Sequence, residues 1–261
     1  MHIGSGFYSL PENAFRHLKD ERNNMKFNPN EHIIFETIAG SHLYGTNIEG
    51  SDFDKRGVCV PPYRILFNPF QKFDQLEETV DEDRVIYSLA KFFDLATQNN
   101  PNIIELLFAP KGSWIQGSWQ WELLVENRNL FLSRNAAKTF GGYARAQMHK
   151  LKNGRQEGSK RFELVQQYGY DTKSAMHLVR LVIEGTELLN KGTITLPCPN
   201  AAQLLKIRNG GFSYKNILLI AEDFFSVCDE LAANGPLPDK AEYDRLADLY
   251  LEIVAGTNGR I

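Results

Sequence analysis

The hydrophobic pattern of this chain changes period once, near residue 88, and that change constrains the fold more than any other feature. Before it, His32-Ile-Ile-Phe-Glu-Thr-Ile38 is an apolar, β-branched run closed by Ala39-Gly40-Ser41, which reads as a buried strand entering a glycine turn. Asp52 to Val60 reads as a second strand, stopped by Pro61-Pro62. Arg84-Val-Ile-Tyr87 makes a third short strand, preceded by the acidic run Glu77 to Asp83. From Ser88 onward the spacing is helical: Leu89, Phe92, Phe93, Leu95 and Ala96 share a face, Ser88 serves as the N-cap, and Pro101 breaks the run before Ile103 to Phe108. Beyond about residue 112 amphipathic segments follow at 117–126, 132–151, 171–190, 214–233 and 239–254. The expected fold class is therefore α+β, a small sheet with flanking helices followed by a C-terminal helical bundle. The expected organisation is an N-terminal helical arm over 1–30, a core over 31–111 and a helical domain over 112–261, with a soft boundary at Lys111-Gly112.

Composition narrows what such a fold can do. The chain has 261 residues, 43% of them apolar and 23% charged, so it can bury a core without staples. Its net charge of −3 gives no global positive field, and contact with nucleic acid must be local. Cys59, Cys198 and Cys228 are widely separated, with no zinc-like spacing, which fits a reducing cytoplasm. The opening residues lack the basic-then-apolar order of an export signal, and no run approaches the roughly 20 apolar residues of a membrane span. No membrane partner is expected.

The stretch that carries chemistry is Gly40-Ser41, a nine-residue spacer, then Ser51-Asp52-Phe53-Asp54. Side chains alternate along a strand, so Asp52 and Asp54 would project to one side, close enough to share a hard cation. Like charges that close raise each other's pKa unless a cation lies between them, and magnesium is commonly held by one or two carboxylates plus substrate phosphates. Gly40 and Ser41 would offer backbone N–H groups and a hydroxyl to phosphate. A second cluster, Asp171, Lys173, His177 and Arg180, sets its three basic residues at i, i+4 and i+7, on one face of a helix beginning near 171. Spacing alone leaves two readings of that face: a solvated surface, or a cationic wall in which Arg180 grips phosphate through two nitrogens and Lys173 acts as a point charge.

The Gly-Ser, spacer and Asp-x-Asp pattern resembles the signature of the DNA polymerase beta-like nucleotidyltransferase superfamily. With Ser51-Asp-Phe-Asp-Lys-Arg-Gly-Val58, Val85-Ile-Tyr-Ser-Leu-Ala-Lys-Phe92, Asn100-Pro-Asn-Ile-Ile-Glu-Leu-Leu107, Phe140-Gly-Gly-Tyr-Ala144 and Gly169-Tyr-Asp-Thr-Lys-Ser-Ala-Met-His-Leu-Val-Arg-Leu181, the chain is similar to a bacterial and phage group of nucleotidyltransferases associated with RNA repair. The similarity runs from about residue 33 to 215. It implies a polymerase-beta-like core, a cytoplasmic location in a bacterium or phage host, and transfer of a nucleoside monophosphate from a nucleoside triphosphate to a hydroxyl, with an RNA 3′ end as one acceptor. It implies Mg2+ or Mn2+ as cofactor, held by Asp52 and Asp54 and by a third carboxylate on a later strand. Asp83 best fits that place, ahead of the adjacent Asp81 and Glu82. It implies further that Gly40, Ser41, Lys173, His177 and Arg180 serve the nucleotide.

Other residues carry plainer expectations. Arg56 shares the strand face of Asp54 and meets either phosphate or a neighbouring carboxylate. Glu105 is expected to be a buried structural acid paired with Lys91. Trp114, Trp119 and Trp121 suit core packing better than base stacking. Lys150, Lys152, Arg155, Lys160 and Arg161, beside Tyr143, Phe162 and Tyr168, form either a solvated loop or a track for an RNA backbone. Haloacid-dehalogenase phosphatases need Thr or Val where Arg56 stands, and no nucleotide-sugar fold surrounds the aspartates. No serine elbow, phosphate loop or Rossmann fingerprint is present. The alternative from another class is a catalytically silent nucleotide- or RNA-binding module on the same scaffold.

Overall fold

The computed structural model describes residues 27–79, 83–151 and 160–259. Residues 1–26 of the expected N-terminal helical arm, the acids Asp81 and Glu82, and most of the basic loop at 153–161 lie outside the described residues.

Five strands form one mixed sheet: β1 (Ile33–Ile38), β2 (Asp54–Cys59), β3 (Gln75–Glu78), β4 (Asp83–Ser88) and β5 (Trp114–Gly117), in the spatial order β3-β4-β2-β1-β5. Strand β2 pairs antiparallel with β1 and parallel with β4, and the parallel register sets Asp54 directly opposite Asp83. Two strands are additions to the sequence reading. The acidic Gln75–Glu78 forms an edge on β4, and Trp114–Gly117 joins β1, so the sheet draws on residues beyond Gly112. Strand β2 also begins at Asp54, two residues later than expected, which leaves Asp52 in the preceding loop.

Two short helices follow β1 and β2: α1 (Gly40–Tyr44) and α2 (Tyr63–Leu66). Gly40-Ser41 is therefore the first turn of a helix rather than a free glycine turn. Next come α3 (Leu89–Thr97), capped by Ser88 accepting from the Lys91 N–H at 3.1 Å, and α4 (Pro101–Ile104), which runs into a 3-10 turn over Glu105–Phe108. The remainder is helical: α5 (Trp119–Glu126), α6 (Asn135–Lys150), α7 (Lys160–Tyr168), α8 (Thr172–Lys191), α9 (Ala201–Arg208), α10 (Tyr214–Asn234) and α11 (Tyr243–Asn258). Of these, α7 and α9 fall where the sequence reading placed no helix.

One continuous core runs from Ile34 to Val254 and joins sheet and helices. Phe35 of β1 stacks on Trp121 with ring centroids 3.7 Å apart and meets Trp114 edge-on at 5.5 Å, so these two tryptophans are packing residues. The axis of the helical part is α8, which packs against α6, α7, α9 and α10 and is apolar around much of its circumference. Among the described residues no helix is long and apolar enough to cross a membrane.

Candidate active site

The carboxylates converge at the start of the parallel β2–β4 pair. Because Asp54 and Asp83 are register partners on adjacent strands, their side chains leave the same face, and the two carboxyl groups are in hydrogen-bond contact. Burial first, and then the charge of Asp83, push the Asp54 pKa up; the nearby Arg56 guanidinium opposes the rise. Asp52 lies one step outward, exposed, yet near enough that its charge also raises Asp54. Arg56 pairs with Asp83 through Nη1 and Oδ1 at 3.1 Å and donates to the Asp83 carbonyl at 2.9 Å, so of its two expected partners it takes the carboxylate.

Gly40 is the floor of this arrangement. Its φ is +61°, and a Cβ added there would lie 2.8 Å from the Asp54 Cγ and overlap the carboxylate oxygen Oδ2. Only glycine meets both demands, the left-handed backbone and the close approach. The Ala39 N–H donates to the Asp54 carbonyl at 2.8 Å, tying the entrance of α1 to the first residue of β2.

The basic residues near these carboxylates come from α8 and its neighbours. Asp171 is the N-cap, accepting from the Ser174 N–H at 3.0 Å and the Ser174 hydroxyl at 2.8 Å. The same carboxylate takes two hydrogen bonds from Arg161 of α7, at 2.9 and 3.1 Å. Two residues on, Lys173 feels Asp52 and Asp54 on one side and the guanidiniums of Arg161 and Arg208 on the other; burial and those guanidiniums lower its pKa. Arg208, at the end of α9, is also pushed down, by burial and by Arg161. Arg208 was not among the residues singled out from the sequence. Its only signal there was a second basic residue, Lys206, on a short and weakly amphipathic run.

Two expectations for this wall need correction. His177 is pushed down to about 3 by burial and by the surrounding cations Arg180, Lys173, Arg161 and Arg208, so at neutral pH it is an uncharged imidazole and not part of a cationic face. Arg180 does not face the carboxylates of the sheet at all. It is buried, donating from Nη1 to Glu184 at 2.7 and 3.0 Å and to Glu105 at 3.1 Å, with its guanidinium 3.8 Å over the Tyr44 ring. The Tyr44 hydroxyl completes the cluster by donating to Glu105 at 2.8 Å. Glu105 is thus a buried structural acid, but its partners are Arg180 and Tyr44, while Lys91 pairs with Asp94 at 3.8 Å. This cluster fastens α1, which carries Gly40 and Ser41, to α8, which carries Lys173 and His177.

A hard cation suits the Asp54–Asp83 pair, since two neighbouring carboxylates repel and one already resists ionisation. Among the described residues no group of three or more His, Cys, Asp or Glu side chains is set to hold an ion. Among the described residues the donor set is the Asp54–Asp83 pair, with Asp52 beside it and further coordination left to phosphate oxygens and water.

Residues 12–252 match the model of the RNA repair pathway DNA polymerase beta family, RlaP. The chain belongs to this family. It is also similar to an uncharacterized 38.9 kDa protein from the nrdC-mobD intergenic region of Enterobacteria phage T4, 31% identical over 128 residues. That stretch covers 45% of this chain and 38% of the phage protein.

Proposed function

We propose that this RlaP-family chain is a metal-dependent nucleotidyltransferase that moves a nucleoside monophosphate from a nucleoside triphosphate to a hydroxyl acceptor, an RNA 3′ end, and releases pyrophosphate. The observation that carries the reading is the Asp54–Asp83 pair, one step from Asp52, with Lys173 of α8 near enough to feel the charges of Asp52 and Asp54. Asp52, Asp54 and Asp83 would hold Mg2+ or Mn2+, which when bound lowers the pKa of the acceptor hydroxyl and neutralises charge on the triphosphate. Gly40 keeps the floor clear for the Asp54 carboxylate, and Ser41, the next residue of α1, would offer its hydroxyl to phosphate. Lys173 supplies positive charge next to the carboxylates, with Arg208 and Arg161 extending it outward along the phosphate tail. His177 lines this wall as a neutral hydrogen-bonding group. Arg180 holds the wall in place from behind, through Glu105 and Tyr44.

One observation favours a second reading, a nucleotide-binding module without turnover: Asp83 is already paired with Arg56, and among the described residues no group of three acids, histidines or cysteines is set to hold an ion. A transfer assay separates the two. Each α-labelled ribonucleoside triphosphate is incubated with Mg2+ or Mn2+, small RNAs and whole-cell protein, beside the Asp52→Ala/Asp54→Ala double variant. Label moving onto RNA only with the intact aspartates is the expected result. Nucleotide binding with no label transfer under any condition would refute turnover and leave the binding module.

A further inference from the structure

Between the two aspartates stands Phe53, and it is not a core residue. In a strand that alternates faces, the residue separating two outward carboxylates is expected to turn inward and be buried. Here β2 starts only at Asp54, and the Phe53 ring is 57% exposed. An aromatic ring left largely in water forgoes the stabilisation of burial unless another surface covers it in use.

The ring is nevertheless held in place. The His42 imidazole stacks on Phe53 with centroids 4.0 Å apart and planes 14° from parallel. His42 is the residue after Ser41 on α1, and its Nε2 lies 3.4 Å from the Ser51 carbonyl. The loop beneath is closed by the Ile48 N–H donating to the Ser51 hydroxyl at 2.8 Å and by the Ser51 N–H donating to the Ile48 carbonyl at 3.0 Å. One face of Phe53 is taken by His42, the other is open, and the ring's backbone neighbours are the carboxylates. An exposed, pre-oriented ring at the edge of a phosphate-handling site has the form of a stacking platform, and a nucleobase is the flat ligand that arrives there joined to phosphate.

We infer that the His42–Phe53 stack is a nucleobase platform, on whose open face the base of the nucleotide bound at Asp54 and Asp83 lies. The inference rests on the nucleotidyltransfer reading above and adds what it lacks, a seat for the base. Stacking uses the π-face that every base has, so the platform is tolerant of base identity and favours purines by their larger area. The base comes either from the incoming triphosphate or from the terminal nucleotide of an RNA acceptor.

Binding to the full chain separates these sources without requiring turnover. Calorimetric titrations with Mn2+ present use the α,β-methylene analogue of ATP and, as its baseless counterpart, inorganic tripolyphosphate. A second arm uses a short oligoribonucleotide with or without its 3′-terminal base. Phe53→Ala is expected to weaken the base-bearing probe of one arm by roughly 5- to 150-fold and to leave tripolyphosphate and the abasic oligonucleotide unchanged. Phe53→Trp restores or exceeds the original affinity, and the arm that responds names the source of the base. Equal wild-type affinity for probes with and without the base in both arms would overturn the platform while leaving nucleotidyl transfer, measured by label, intact. Equal loss of tripolyphosphate and nucleotide in Phe53→Ala would overturn it too, by showing a structural role. Absence of any nucleotide, tripolyphosphate or oligonucleotide binding in the wild type defeats both the platform and the transfer reading.

Discussion

Replacing Glu184 by glutamine tests the buried cluster that fixes α8 to α1. In the wild type one guanidinium, Arg180, is shared by two carboxylates, Glu105 and Glu184, all buried. Both carboxylates are pushed up, chiefly by burial, and Glu184 reaches about 7, with the charge of Glu105 adding to the rise and Arg180 opposing it. A group whose pKa is higher in the folded chain stabilises the fold fully below its unfolded value, near 4.5, and loses that contribution as pH rises through about 7. The rise from 4.5 to about 7 corresponds to roughly 3 kcal/mol. Glutamine keeps a carbonyl oxygen for the Arg180 Nη1 and carries no charge, leaving Arg180 and Glu105 as a one-to-one pair. Its new amide N–H groups cost about 1 kcal/mol if they find no acceptor. Relative to wild type, Glu184→Gln should therefore be slightly destabilised at pH 5 and more stable by roughly 2 kcal/mol at pH 8, about 4–8 °C in Tm for a chain of this size. His177 works in the opposite sense, since a pKa of about 3 withholds a proton that the unfolded chain binds below about 6.5. That contribution is common to both proteins and cancels in their difference. Calorimetric melting of both across pH 5 to 8 reads the effect. Parallel Tm-against-pH curves would refute the reasoning, as would a uniform loss in the variant, because either means that Glu184 is ionised throughout.

Four further outcomes follow from the same geometry. Gly40→Ala should abolish nucleotidyl transfer while lowering stability by only about 1–2 kcal/mol, the cost of a left-handed alanine, because its Cβ displaces the Asp54 carboxylate; melting and label transfer on one sample check both halves. Asp54→Asn should raise the melting temperature of the ion-free protein, by ending the repulsion from Asp83, and remove any upward shift on adding Mn2+. In the wild type Mn2+ affinity, measured by titration, should fall as pH drops through the acid range, and earlier than for an ordinary carboxylate, since the raised Asp54 pKa lets a proton compete with the ion. Removing the outer cation by Arg208→Ala should weaken tripolyphosphate binding by roughly 10-fold, the scale of one charge-assisted hydrogen bond, without moving Mn2+ affinity.

What is legible in the sequence is set by period and capping within a segment, and what is not is set by pairing and packing between elements. Strands β1 and β2, the Ser88 cap and the five long C-terminal helical runs follow from period, β-branching and capping chemistry, which act within a few residues. Strands β3 and β5 are four residues each, one acidic and one ending in glycine; pairing makes them strands, β3 by an antiparallel pairing with the next strand, β4, and β5 by the distant β1. Asp83 is singled out by the family resemblance, which asks for a third carboxylate where the strand of Arg84 to Tyr87 begins, and the parallel register sets it opposite Asp54. Asp52 illustrates the converse, because the alternation rule applies only inside a ladder and the ladder starts two residues too late to include it.

Arg180 shows most clearly how a correct helical spacing can mislead. Lys173, His177 and Arg180 do follow one another along α8, but a helix face has two ends, and spacing does not say where water stops. The signal was nonetheless present: from Ala175 to Leu181 the run Ala-Met-His-Leu-Val-Arg-Leu is apolar on every side except for His177 and Arg180, and Glu184 follows Arg180 at i+4. A helix apolar all round is buried, and a charge inside it is paired. The outer turn of α8 thus presents Lys173 to the carboxylates while the turn beyond anchors Arg180 to Glu105 and Tyr44, so that one helix both forms the wall of the site and sets its distance from Gly40. Buried ion clusters add little net stability over a well-packed apolar core. A cluster at this place is better accounted for by alignment: moving α8 by one turn would carry Arg180 and Glu184 away together and leave Glu105 a buried carboxylate without its cation, held by Tyr44 alone, whereas an apolar contact there would tolerate the slip.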